Sequence, residues 1–145
     1  MVTSAVQRSS KKTDALWEAV RQKQDVVIGA GLFILAVVSR LPFQEKILYH
    51  WDSINFALSL QRFDVAAGQP HVPGYILYVL LARLVNAAVG DAQLTLVSIS
   101  VISSGLAVAG LYVLGSTLFN RATGLVAALF LASSPLFWFY GEVAL

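Results

Sequence analysis

An all-α, polytopic membrane helical bundle with an external loop carrying interfacial helices is predicted by three features of this 145-residue sequence. Charge is scarce: 57% of residues are hydrophobic and 12% charged, about half the charge of an ordinary soluble domain, and the mean hydropathy is +0.72. Charge is also uneven, since Arg121 is the only charged residue between Ala92 and Gly141. A run that avoids charge so strictly reads as membrane-embedded helix. Finally, Arg8, Lys11, Lys12, Arg21 and Lys23 all precede the first long apolar run, which by the positive-inside rule puts the N-terminus in the cytoplasm.

The formal charge of +2 gives no footprint for nucleic acid, and the basic N-terminal arm has no folded nucleic-acid-binding partner domain. Cysteine is absent, so there is no disulfide framework, thiolate nucleophile or zinc–thiolate centre. The long charged segment before the apolar run, with no A-x-A-like site after it, fits an uncleaved signal anchor rather than a secretory signal.

Residues 1–25 read as a cytoplasmic tail, with Thr13 or Asp14 capping a short interfacial helix to about Gln24. The membrane domain, 26–145, opens with VVIGAGLFILAVVSRLPF (26–43), roughly 27 Å of helix and enough for one crossing. Arg40 is expected to snorkel to the far headgroups, and Pro42 to close the helix. Residues 44–73 form the external loop, holding Glu45, Lys46, Asp52, Arg62, Asp64 and both histidines. Ser53 to Phe63 has the apolar spacing of a surface-lying helix, and AAGQPHVPG is turn-rich.

Three apolar segments follow, at 74–90, 94–119 and 122–140. The first is short and carries Arg83 and Asn86, so it is expected to insert only partly; Glu142 then emerges on the same external side as Asp52. Gly105, Ala109, Gly110 and Gly115 allow close helix approach in the second. Ser133-Ser134-Pro135 predicts a kink in the third. The chain stops at FYGEVAL without a polar tail, which reads as a natural end or as truncation of a longer chain.

Several residues have both a structural and a chemical reading. Asp52 can cap a helix beginning near Ser53. Alternatively, beside Tyr49 and Trp51, it can take a proton from an incoming hydroxyl as general base. His50 and His71 flank the loop as interfacial histidines. With Asp52 and Glu142 they offer oxygen and nitrogen ligands to a metal, though at no compact ligand spacing. Pro73 and Gly74 start the next helix, and Glu142 follows FWFY as a solvated end or part of a site.

Taken in order, these pieces resemble the N-terminal third of GT-C superfamily glycosyltransferases, such as protein O-mannosyltransferases and lipid A aminoarabinose transferases. LYHWDSINFAL looks like their first external loop, HVPGYILYVLLARLVNAAVG is similar to their H-P-P-x-Y helix, and LYVLGSTLFNRATGLVAALFLASSPLFWFYGE looks like their next helix pair. The resemblance covers roughly residues 35–145 and lies in the order of elements. It implies a prokaryotic plasma-membrane enzyme that moves a sugar from a polyprenyl-phosphate donor to an acceptor hydroxyl at the external face. Asp52 then corresponds to the catalytic base, and Glu142 to the acid ending the later helix. His71, Arg62, Lys46 and Arg40 are the other substrate-binding candidates, the three cations for the phosphate. A divalent metal is left open, with His50 and Glu142 as candidate ligands. The pattern departs at its D-E acid pair, where the second acid is Ser53, and this bears on the substrate more than on the fold. Such enzymes are also several times longer, which keeps a non-catalytic membrane subunit or an inactive truncated product as the rival. A transporter subunit would instead need ionisable groups lining a path at mid-membrane depth.

Overall fold

The computed structural model describes residues 2–144, with side chains from residue 20 onward. These residues form helices and no strand, apart from one isolated bridge between Asp64 and Gln69. The first helix, α1 (Val2–Arg40), is continuous. The expected boundary between a surface helix ending near Gln24 and the apolar span is therefore absent. No glycine or proline falls between Thr13 and Ile28, so nothing in the chain stops a helix there. Pro42, in a tight turn over Leu41–Phe43, ends the helix as expected.

Helix α2 (Trp51–Gln61) lies in the loop, followed by α3 (Ile76–Val89), α4 (Ala92–Leu118), α5 (Arg121–Ser133) and α6 (Pro135–Tyr140). Two stretches, Val20–Phe43 and Ala92–Leu118, are long and apolar enough to cross a membrane; α3 and α5 are apolar but shorter. The predicted kink at Ser134 is a full break: its backbone is extended (φ −63°, ψ 121°) and α6 restarts at Pro135. Helix starts follow local chemistry. Asp91 accepts from the Leu94 amide at 2.8 Å and Asn120 from the Thr123 amide at 3.0 Å, each holding an amide that has no partner within its own helix.

Helix α4 is the spine, with α1 and α5 packed along it and α2 and α3 against its first half. Small residues set the approach. A Cβ at Gly105 would lie 2.8 Å from the Phe33 ring, and one at Gly115 would lie 2.7 Å from the Gly124 Cα. By contrast, Gly110 faces open space. One cluster of buried residues holds Phe56, Val79, Leu96, Val97 and Val101 near the loop; a second holds Leu32, Ala36, Val108, Tyr112 and Ala128 farther along. At the end away from the loop, Asp25 pairs with Arg121 (2.7 Å to Nε, 3.0 Å to Nη2) and accepts from the Tyr112 hydroxyl at 2.7 Å. Nearer the loop, Arg83 donates to the Ser59 carbonyl at 2.7 and 3.2 Å, and Thr95 donates to the Asn86 side chain at 3.0 Å. Arg83 and Asn86 of α3 are thus occupied in tying helices together.

Candidate functional site

Asp52 does not cap its helix. The N-cap of α2 is His50, in extended conformation, and no side chain caps the helix there. Asp52 stands one position inside the first residue, where the helix N-terminus favours negative charge, and its carboxylate turns toward His71. Their nearest atoms, Oδ1 and Nδ1, lie 3.6 Å apart. That is ion-pair distance but too long for a hydrogen bond, and His71 Nδ1 has no hydrogen-bond partner.

The turn after α2 delivers His71. Gly74 adopts φ +95° and donates its amide to the His71 carbonyl at 2.9 Å. A Cβ at that glycine would come within 3.1 Å of Val65, so both backbone angle and space favour glycine. Tyr75 follows with φ +41°, a left-handed conformation uncommon outside glycine and asparagine. The result is an aromatic wall. Phe56 meets Tyr78, Tyr75 and His71 edge-on at 4.8, 5.4 and 5.7 Å between ring centroids, and His71 lies 5.2 Å from Tyr75. Asp52, Phe56, His71, Tyr75 and Tyr78 line a cavity of about 340 Å³. The aromatic neighbours of Asp52 therefore come from positions 56, 75 and 78. Tyr49 and Trp51, expected to bury it, are exposed, with the Tyr49 ring tilted against His50 at 4.2 Å between centroids.

A second polar centre lies below the loop. Arg40 is fully buried rather than snorkelling outward. Its Nη1 donates to the Ala36 carbonyl one turn back at 2.8 Å, and its guanidinium sits 5.4 Å from the Phe137 ring centre. The chain folding back through α6 covers it, which local sequence could not show. Glu142 is also buried. Desolvation pushes its carboxyl above the usual range, and the nearby Arg40 charge offsets part of that rise.

Glu45 joins loop and chain end. Its carboxylate accepts from the Tyr49 amide at 3.1 Å and the Ala144 amide at 2.9 Å, while its own amide donates to the Glu142 carbonyl at 3.0 Å. Gln93 donates to the Glu45 carbonyl at 2.7 Å, and the Ser53 hydroxyl donates to the Ala144 carbonyl. Residues 142–144 are thereby held against the start of α2, so Glu142 and Asp52 share one end of the bundle.

The structure thus brings Asp52 to His71 and Arg40 to Glu142, and leaves Arg62 and Lys46 apart. Arg62 pairs with Asp64 at 2.7 Å beyond the far end of α2, and Lys46 borders a shallow cleft with Gln44, Asp91 and Gln93. His50 Nε2 is buried without a partner and does not line the Asp52 cavity. Among the described residues no group of three or more His, Asp or Glu side chains is arranged to hold a metal. Sequence reading missed Phe56, Tyr75, Tyr78 and Glu45. The spacing of Tyr75 and Tyr78, one helical turn apart after the histidine turn, was an available signal for two of them; Glu45 had none. No protein-family model matches the sequence, and no curated protein or solved structure is similar to it.

Proposed function

We propose that this chain is part of the membrane domain of a GT-C-type glycosyltransferase, moving a sugar from a polyprenyl-phosphate donor to an acceptor hydroxyl. The observation that supports the reading is the Asp52–His71 pair: a carboxylate that caps no helix, facing an imidazole in an aromatic cavity. Aromatic walls with a few convergent polar groups suit the apolar faces and hydroxyls of a sugar.

In this reading Asp52 takes the proton of the acceptor hydroxyl as its oxygen attacks the anomeric carbon. The bond from that carbon to the phosphate oxygen breaks, through an oxocarbenium-like state. The phosphate leaves with the bonding electrons. His71 Nδ1, when protonated, steadies and orients the carboxylate.

The topology proposed with it is polytopic, in the plasma membrane of a prokaryote. The basic N-terminus is cytoplasmic and the Asp52 loop external. Helices α1 and α4 cross. Helix α3, at roughly 21 Å with no helix continuing it, dips into the outer leaflet, whereas α5 continued by α6 covers the roughly 30 Å that a crossing back needs. Exposed Val27, Leu77, Leu84 and Phe130 then face lipid or further spans of the same enzyme. The test is transfer of radiolabelled sugar from polyprenyl-phosphate donors in membranes holding the protein of the complete reading frame. Transfer above membranes lacking the protein supports the reading, and its absence across a panel of donors counts against it.

A further inference from the structure

A groove of about 740 Å³ runs between α1 and α4, at the end of the bundle away from the Asp52 loop. Gly29, Ala30 and Phe33 line it from α1, and Leu106, Ala109 and Val113 from α4. Short side chains leave the space open. The Phe33 ring closes it near the middle of the span, where a Cβ at Gly105 would lie 2.8 Å from that ring. From there the lining turns polar toward the helix ends, through Asp25, Ser116 and Thr117 to Arg21.

The polar end is positively charged. Asp25 is neutralised there, because Arg121 meets both its carboxylate oxygens and the Tyr112 hydroxyl donates to it. Arg21 is exposed; its carbonyl accepts from Arg121 at 2.6 Å, but its guanidinium forms no ion pair among the described residues. Exposed Lys23 adds to the positive field. Basic pockets between spanning helices on the cytoplasmic side suit anionic lipid headgroups.

Length decides between a lipid and another helix. From Leu106 to Thr117 helix α4 rises roughly 16 Å, which is about half of the roughly 30 Å hydrocarbon core. A crossing helix would need a seat through both leaflets, whereas an acyl chain occupies one. We infer that this groove seats the acyl chain of an anionic phospholipid of the inner leaflet, with its phosphate beside Arg21. The Asp52 cavity lies at the other end of the bundle. The inference uses the topology proposed above, but not the transfer of sugar.

The test is native mass spectrometry of the purified protein mixed in detergent with palmitoyl-oleoyl phosphatidylglycerol or palmitoyl-oleoyl phosphatidylcholine. Phosphatidylglycerol should be retained ~5-fold more strongly, the scale of one arginine beside an anionic headgroup. Arg21→Gln should bring the two lipids level. Ala30→Trp fills the groove from an exposed position and should lower phosphatidylglycerol retention ~10-fold or more, since several methylenes lose their seat. Thermal unfolding checks that both variants fold; should Ala30→Trp fail to fold, Arg21→Gln still decides, because its side chain supports no packing. Equal retention of the two lipids by the parent, no retention of either, or a preference unchanged in a folded variant overturns the inference. A dimer that Ala30→Trp abolishes also overturns it, since the groove would then hold a second copy. Sugar transfer is not read here, so failure of the lipid seat and failure of the transferase reading are separate results.

Discussion

Asp52 Oδ1 and His71 Nδ1 face each other at 3.6 Å across an aromatic cavity, although a helix and a turn separate them in the chain. The contact depends on two local features: His50 takes the N-cap position and frees Asp52, and the turn through Gly74 and Tyr75 swings His71 back over α2.

The α4–α5 crossing should tolerate no added atom. Gly124→Ala would place a methyl 2.6 Å from the Tyr112 carbonyl and 2.7 Å from the Ser116 amide, so it should destabilise by ~2–3 kcal/mol, the scale of overpacking. Gly110→Ala, with nothing within 4 Å, should be neutral or gain up to ~1 kcal/mol in helix propensity. Thermal unfolding in detergent checks both.

Much of the helical plan was legible. The apolar runs and the Ser134-Pro135 break are local signals, and local signals place helices and their ends. The site was legible only in outline. Asp52 and His71 could be named, but not their approach, because an N-cap shifted by a few positions decides whether Asp52 is a cap or a free carboxylate. Arg40 looked like a snorkelling residue since its cover, Phe137 and Gly141, comes from the other end of the chain. Glu45 joins backbone groups, and backbone partners leave no mark in side-chain patterns.

The joint between loop and chain end should fail when Glu45 is shortened. Glu45→Ala removes the acceptors of the Tyr49 and Ala144 amides and should destabilise by ~2 kcal/mol. Glu45→Gln should lose less, because the amide keeps one accepting oxygen. Hydrogen exchange at Ala144 reports the joint directly: protection should fall in the alanine variant.

Glu142 should make stability fall as pH rises. Its folded-state pKa lies above its ordinary value, so the folded protein binds more protons than the unfolded chain through that range. The protein's stability contribution from protonated Glu142 is complete below the unfolded value and declines up to the folded one. Glu142→Gln should remove this slope, and the variant should match the parent in acid and exceed it at neutral pH. Unfolding midpoints across pH compare the two.

Orientation is testable with single cysteines in the cysteine-free chain. Val72 and Phe119 are both exposed, at 75% and 73%, at opposite ends of the bundle. A membrane-impermeant thiol reagent applied to intact cells should label cysteine at Val72, and cysteine at Phe119 only after permeabilisation. The reverse pattern would put the Asp52 loop in the cytoplasm.

The role proposed for Asp52 as base is tested most directly by the rate of sugar transfer in Asp52→Asn, measured in membranes holding the protein at matched level. Asparagine keeps the shape of the side chain and caps helices about as well as aspartate, and no backbone cap depends on Asp52 in any case. What the amide cannot do is accept the acceptor's proton, so transfer should fall by about 10²-fold or more. Near-normal turnover in Asp52→Asn would contradict the account: Asp52 would then not be the base.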